Sequence, residues 1–321
     1  MHYSIFDRFQ GVLYGSLLGE VVFNKRQNLD RLPNWYGISA ALTDILLENG
    51  DLLGILQQRA IQKQRSEETT TSCIPERLQN LDFSGGSDVA ALASLPIVLF
   101  FHDSLELLEQ HLVTFSNLWQ QSEIVKEDLL VWGFEIALIL REKLDLNSPI
   151  ARLGRFPNLE CNSLLTLWES LNNPLANSNK LRQILRQLGK STPSDRLSLA
   201  LAFAYFFATP TDVRLSAKLV DRLDCNPSTA VSLIGSLAGA FGGYGNIPIS
   251  WRLALQKHPL SQNLKTTTSQ LLAVWAGVER SQIKLFSPQN VAFAASTVIQ
   301  PRSTIPLISQ SSAKYPFDVD T

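Results

Sequence analysis

Residues 228–248 read STAVSLIGSLAGAFGGYGNIP, and residues 8–20 read RFQGVLYGSLLGE. Both stretches are apolar, and both carry glycine at every fourth position: Gly11, Gly15 and Gly19 in one, Gly235, Gly239 and Gly243 in the other. That spacing puts three glycines on one face of an α-helix. Each glycine costs about 1 kcal/mol against alanine inside a helix. A stripe of three therefore signals a close approach to the backbone, by another helix or by a ligand, with tight core packing the plainer cause.

Working outward, apolar residues elsewhere recur at three and four, as in Leu105, Leu108, Leu112 and Phe115, or Leu181, Ile184, Leu185 and Leu188. This period predicts an all-α fold of about ten helices joined mostly by short turns. The punctuation agrees. Ser4 with Asp7 resembles a capping box, Ser194 with Asp195 opens another helix, and Asn49-Gly50, Asn172-Asn173-Pro174 and Gly189 close others.

Composition sets the outer limits. The chain has 321 residues, 45% of them hydrophobic, enough for a substantial core. Its 28 Lys and Arg nearly cancel 29 Asp and Glu, so the basic excess of a nucleic-acid binder is missing. Cys73, Cys161 and Cys225 are too scattered for a disulfide framework or a zinc site, which fits a reducing compartment. The longest apolar runs, Leu197 to Ala208 and Val89 to Phe101, fall short of the ~20 residues that span a bilayer. No membrane association and a cytoplasmic location are the expectations.

Residues 62–80 are polar and threonine-rich, and read as an exposed loop. From Ser287 onward Pro288, Pro301, Pro306 and Pro316 lie among many serines, which predicts an irregular tail. The expected organisation is one helical domain over residues 1–286 and a tail over 287–321.

No GxSxG elbow, P-loop, HExxH or GxGxxG motif is present. The four histidines lack ligand spacing: His102 with Asp103 reads as a loop or helix start, and His111 as a helix-surface residue. Asp82, Asp88, Asp103, Asp221 and Asp224 sit where aspartate commonly caps helices or closes turns.

The order of these segments resembles the ADP-ribosylglycohydrolase family from about residue 5 to residue 255. Residues 8–20 are similar to the family's opening helix, R-x-x-G-x-L-x-G-x-x-x-G-D. Residues 84–96, SGGSDVAALASLP, match in placement its G-x-G-x-x-M-R-x-x-P stretch, without the Met-Arg. Residues 228–248 with Trp251 resemble D-T-x-A-x-I-A-G-x-L-A-G-A-x-Y-G-x-x-x-I-P-x-x-W. The resemblance implies an orthogonal multi-helix bundle with two magnesium or manganese ions where the glycine-rich helices converge, held by a T-D-D motif and a D-x-D-T motif.

This chain departs from both motifs. Asn226-Pro227-Ser228-Thr229 stands where D-x-D-T is expected, and Pro33-Asn34-Trp35-Tyr36 where T-D-D is expected. Glu20 replaces the aspartate after Gly19. Two hard dications need several anionic oxygens, which Asn226, Ser228 and Thr229 do not supply. The expectation is a pseudoenzyme without a metal cofactor, keeping a cleft for ADP-ribose or another nucleotide, or a surface for a protein partner. Gly85, Gly86 and Ser87 would offer backbone N–H groups to phosphate, and Trp35 or Tyr36 would stack on a base.

Two alternatives stand beside it. An active glycohydrolase would rebuild its centre from Glu20, Asp44, Asp221 and Asp224, with Glu20 and Asp44 the catalytic candidates and magnesium or manganese the cofactor. A purely structural scaffold would expose an aromatic patch, for which Trp119, Trp132 and Trp168 are the candidates.

Overall fold

A computed structural model describes residues 3–23, 33–64, 78, 81–119, 122–144, 194–221, 226–278 and 283. Among the described residues the fold is all-α, with thirteen α-helices, two short 3-10 turns and no strand. No helix among them is long and apolar enough to cross a membrane.

The two glycine stretches form α1 (Ile5–Ser16), its short continuation α2 (Leu18–Phe23) and α11 (Pro227–Gly242). They pack directly against each other, glycine to glycine. A Cβ on Gly11 would lie 2.5 Å from the carbonyl oxygen of Gly239, and one on Gly15 would overlap the backbone of Gly235. Gly19 meets Ser228 and Ser232, and its N–H donates to Ser232 Oγ at 3.1 Å. Of the two causes the stripe allowed, a neighbouring helix is the one found at both ends of the chain.

Around this pair the remaining helices close the core. They are α3 (Asn34–Asn49), α4 (Leu53–Gln64), α5 (Ser87–Ala93), α6 (Leu95–Phe101), α7 (Leu105–Ser116), α8 (Ser122–Leu140), α9 (Ser194–Ala208), α10 (Val213–Val220), α12 (Ile249–Lys257) and α13 (Leu264–Trp275). The apolar run 89–101 divides into α5 and α6 because Pro96 has no N–H to donate to Leu92. Leu108, Leu112 and Phe115 are buried, as their spacing predicts. Gly50 ends α3 in the left-handed conformation at φ 71°.

Ser4 caps α1, accepting from the Asp7 N–H at 3.1 Å. The Asp7 carboxylate does not return the bond; it accepts from the N–H of Tyr244 instead and packs against Gly243. Three expectations change. The loop predicted from residue 62 begins later, because α4 runs through Gln64, and most of it lies outside the described residues. His102 ends α6 rather than opening a loop, and is buried with Nδ1 2.8 Å from the Leu99 carbonyl. His111 is a core residue, not a surface one: it stacks on Phe101 at 3.8 Å, with Nδ1 2.7 Å from Leu107 O and Nε2 2.9 Å from Asp51 Oδ1. The tail, Trp168, the three cysteines, and the helix ends at Asn172-Asn173-Pro174 and Gly189 all lie outside the described residues.

Candidate functional site

The foot of the glycine seam gathers the polar residues that the resemblance singles out. α2 presents Glu20 there because α1 tightens at Leu17, whose N–H bonds Tyr14 O at 3.2 Å before the helix resumes. α11 begins opposite it. Asn226 is its N-cap, with Oδ1 accepting the Thr229 N–H at 3.3 Å, and Pro227 occupies the first turn, where no N–H is needed. Ser228 then donates its hydroxyl to Glu20 Oε1 at 3.3 Å.

His258, at the end of α12, completes the group. Burial pushes its imidazole pKa down, while the nearby Glu20 carboxylate opposes the shift. Its Nδ1 is buried and has no hydrogen-bond partner among the described residues. The arrangement is one carboxylate among a hydroxyl, an amide and an imidazole. It can bind a polar ligand or a single proton, and it lacks the anionic charge that holds a pair of dications. Among the described residues no three His, Cys, Asp or Glu side chains converge as a metal site.

The other expected residues are scattered. Asp44 is exposed on α3, flanked by buried Thr43 and Ile45, as the polar side of an amphipathic helix requires. Asp221 is exposed at the end of α10, and Asp224 lies outside the described residues. Trp35 is buried in the core, and Tyr36 is half-buried with its hydroxyl donating to Leu260 O at 3.0 Å. Trp119 and Trp132 are buried, so they furnish no exposed aromatic patch.

Gly85, Gly86 and Ser87 lie at the start of α5. Asp82 shapes the loop before them, accepting from the Ser84 N–H at 2.9 Å and from the Ser84 hydroxyl at 2.6 Å. Asn34 ties the same loop to α3 by donating to Asp82 O at 2.8 Å. Gly85 and Gly86 are half-buried, while Ser87 is buried and its hydroxyl favours the charged form of Asp128. Asp128 on α8 holds Arg196 of α9 in a bidentate pair at 2.8 and 2.7 Å. Burial still raises the Asp128 pKa against both partners.

Sequence reasoning passed over several of these groups. Asp128 and Arg196 are 68 residues apart, and nothing local marks them as partners. Glu135 carried a signal that could have been used, as the lone charge in the apolar run LLVWGFEIALIL of α8. It is fully buried, both of its carboxyl oxygens lack hydrogen-bond partners among the described residues, and desolvation pushes its pKa up to about 8.

Neither a scan against protein-family models nor a search of curated proteins returns a match to this chain.

Proposed function

We propose that this chain is an ADP-ribosylglycohydrolase-like protein of the orthogonal-bundle type that has given up the two-metal centre and acts by binding a ligand or a protein partner. The observation that carries this reading is the pairing of Ser228 with Glu20 at the foot of the glycine seam. Where the resemblance calls for carboxylates, one residue caps a helix and the next gives its hydroxyl to the remaining acid. A single carboxylate satisfied in this way has no need of a cation, and its neutral neighbours do not compensate two. The motif resemblance over residues 8–20 and 228–248 supplies the family, and the direct contact of those two helices is consistent with it.

Calorimetric titration of the full chain with ADP-ribose tests the reading, run once with magnesium or manganese and once with a chelator. Saturable binding of equal affinity in both conditions is the expected result. Binding that requires the metal refutes the loss of the metal centre and points to replacement ligands among Glu20, Asp44, Asp221 and Asp224. Absence of binding in both conditions removes the nucleotide ligand and leaves the protein-partner form, which pull-down with the full chain then tests.

A further inference from the structure

A cleft of about 560 Å³ opens between α2, α10 and α12, and neither Glu20 nor Ser228 is among its described lining residues. Its size falls within the roughly 300–1,000 Å³ of small-molecule sites. Val22 and Phe23 of α2 and Ala217 of α10 give it an apolar lining. Trp251 of α12 forms a further wall.

Arg214 and Lys218 line the same cleft, four residues apart on one face of α10. Like charges at that spacing repel, although Lys218 also gains from lying in the last turn of α10, where the helix dipole favours a cation. Among the described lining residues Asp221 is the single carboxylate, and the cations outnumber it two to one. Arg214 is also held in place. Its Nη2 donates to Ser250 Oγ at 2.9 Å, and its guanidinium lies over the Trp251 ring, 5.9 Å from the centroid. An oriented guanidinium with donors to spare, beside a lysine ammonium on its long stem, suits a phosphate, and the apolar lining suits a flat hydrocarbon body attached to it.

We propose that this cleft is a binding site for a small aryl phosphate, with Arg214 and Lys218 taking the phosphate and Val22, Phe23 and Trp251 receiving the ring. It is independent of the glycohydrolase-like reading, since none of these residues belongs to the Glu20, Ser228 and His258 group.

The probe is phenyl phosphate, titrated into the full chain and followed by tryptophan fluorescence and calorimetry. Saturable binding is expected, with inorganic phosphate and phenol each at least about tenfold weaker, because each keeps only half of the recognition. The double variant R214Q/K218Q changes two exposed side chains; it should keep the thermal midpoint and lose about tenfold or more in affinity. Trp251→Phe, which keeps a ring, should retain phenyl phosphate binding better than Trp251→Ser. No saturable binding overturns the proposal, as does undiminished affinity in R214Q/K218Q. Equal affinity for inorganic phosphate also overturns it, since a bare patch of charge would then account for the binding. Titrating ADP-ribose into R214Q/K218Q keeps the two readings apart: retained ADP-ribose affinity alongside lost phenyl phosphate binding is the expected pair.

Discussion

Glu135→Gln should change how the stability of this protein depends on pH. Glu135 is fully buried on α8 between turns of buried Val131, Trp132, Leu138 and Ile139, and desolvation pushes its pKa from 4.5 up to about 8. Between those values the folded state keeps the proton and the unfolded chain releases it. Stability therefore falls as pH rises, by about 1.4 kcal/mol per unit from this group alone. Over the whole window the loss is on the order of 5 kcal/mol, of which on the order of 3 kcal/mol is already incurred at pH 7. Glutamine keeps the shape and a buried polar group but has no proton to lose, so its cost is the same at every pH.

Urea unfolding followed by far-UV circular dichroism, at half-unit steps from pH 5 to pH 8.5, isolates this effect as the difference between the two proteins. Near pH 5 the gap should be at its smallest, and it should widen steadily in favour of the variant toward pH 8. Parallel stability curves would refute the reasoning, because they would mean that Glu135 titrates normally and reaches water or a partner in the folded state.

Three further outcomes follow from the same structure. Gly239→Ala should destabilise by about 3 kcal/mol or more in chemical denaturation, because its Cβ would overlap the backbone of Gly11 and no flexible side chain is there to yield. Arg196→Met should cost about 3–5 kcal/mol at neutral pH by leaving Asp128 buried without its partner, and part of that loss should return on acidification as the carboxyl takes up a proton. Gly243→Ala should cost about 1–3 kcal/mol, read as a lower unfolding midpoint, since the backbone there sits at φ 65°, ψ −172° with the Asp7 carboxylate against the position of the new methyl.

The fold class was legible in the sequence because its signals are local. The three-and-four spacing of Leu105, Leu108, Leu112 and Phe115, and the glycines at every fourth place, each state which face of a helix is covered. The same spacing did not say what covers the glycines. That required a pairing between residues 8–20 and 228–243, which only the family resemblance hinted at. His111 was misread for a related reason: Glu109 and Gln110 just before it are polar, but Phe101 and Asp51 reach it from other segments and cover it. The site was partly legible. Asn226 and Ser228 were recognised as neutral replacements, while the hydrogen bond to Glu20 and the presence of His258 depend on how α2, α11 and α12 meet. Arg214 and Lys218 drew no notice, since two cations on an exposed helix face look the same whether or not a cleft lies beneath them.

The glycine seam also sets an order of events during synthesis. Gly11 leaves the ribosome more than 200 residues before Gly239, which at about 5–20 residues per second is a wait on the order of 10 to 50 s. Throughout that interval the glycine face of α1, with Leu18 just beyond it, lacks its partner helix, although Gly11, Gly15 and Leu18 are all buried once the chain is complete. Any nascent chain halted before residue 227 would carry that sticky surface for good. A message that ends early should thus yield a client for chaperones and proteases rather than a smaller working protein.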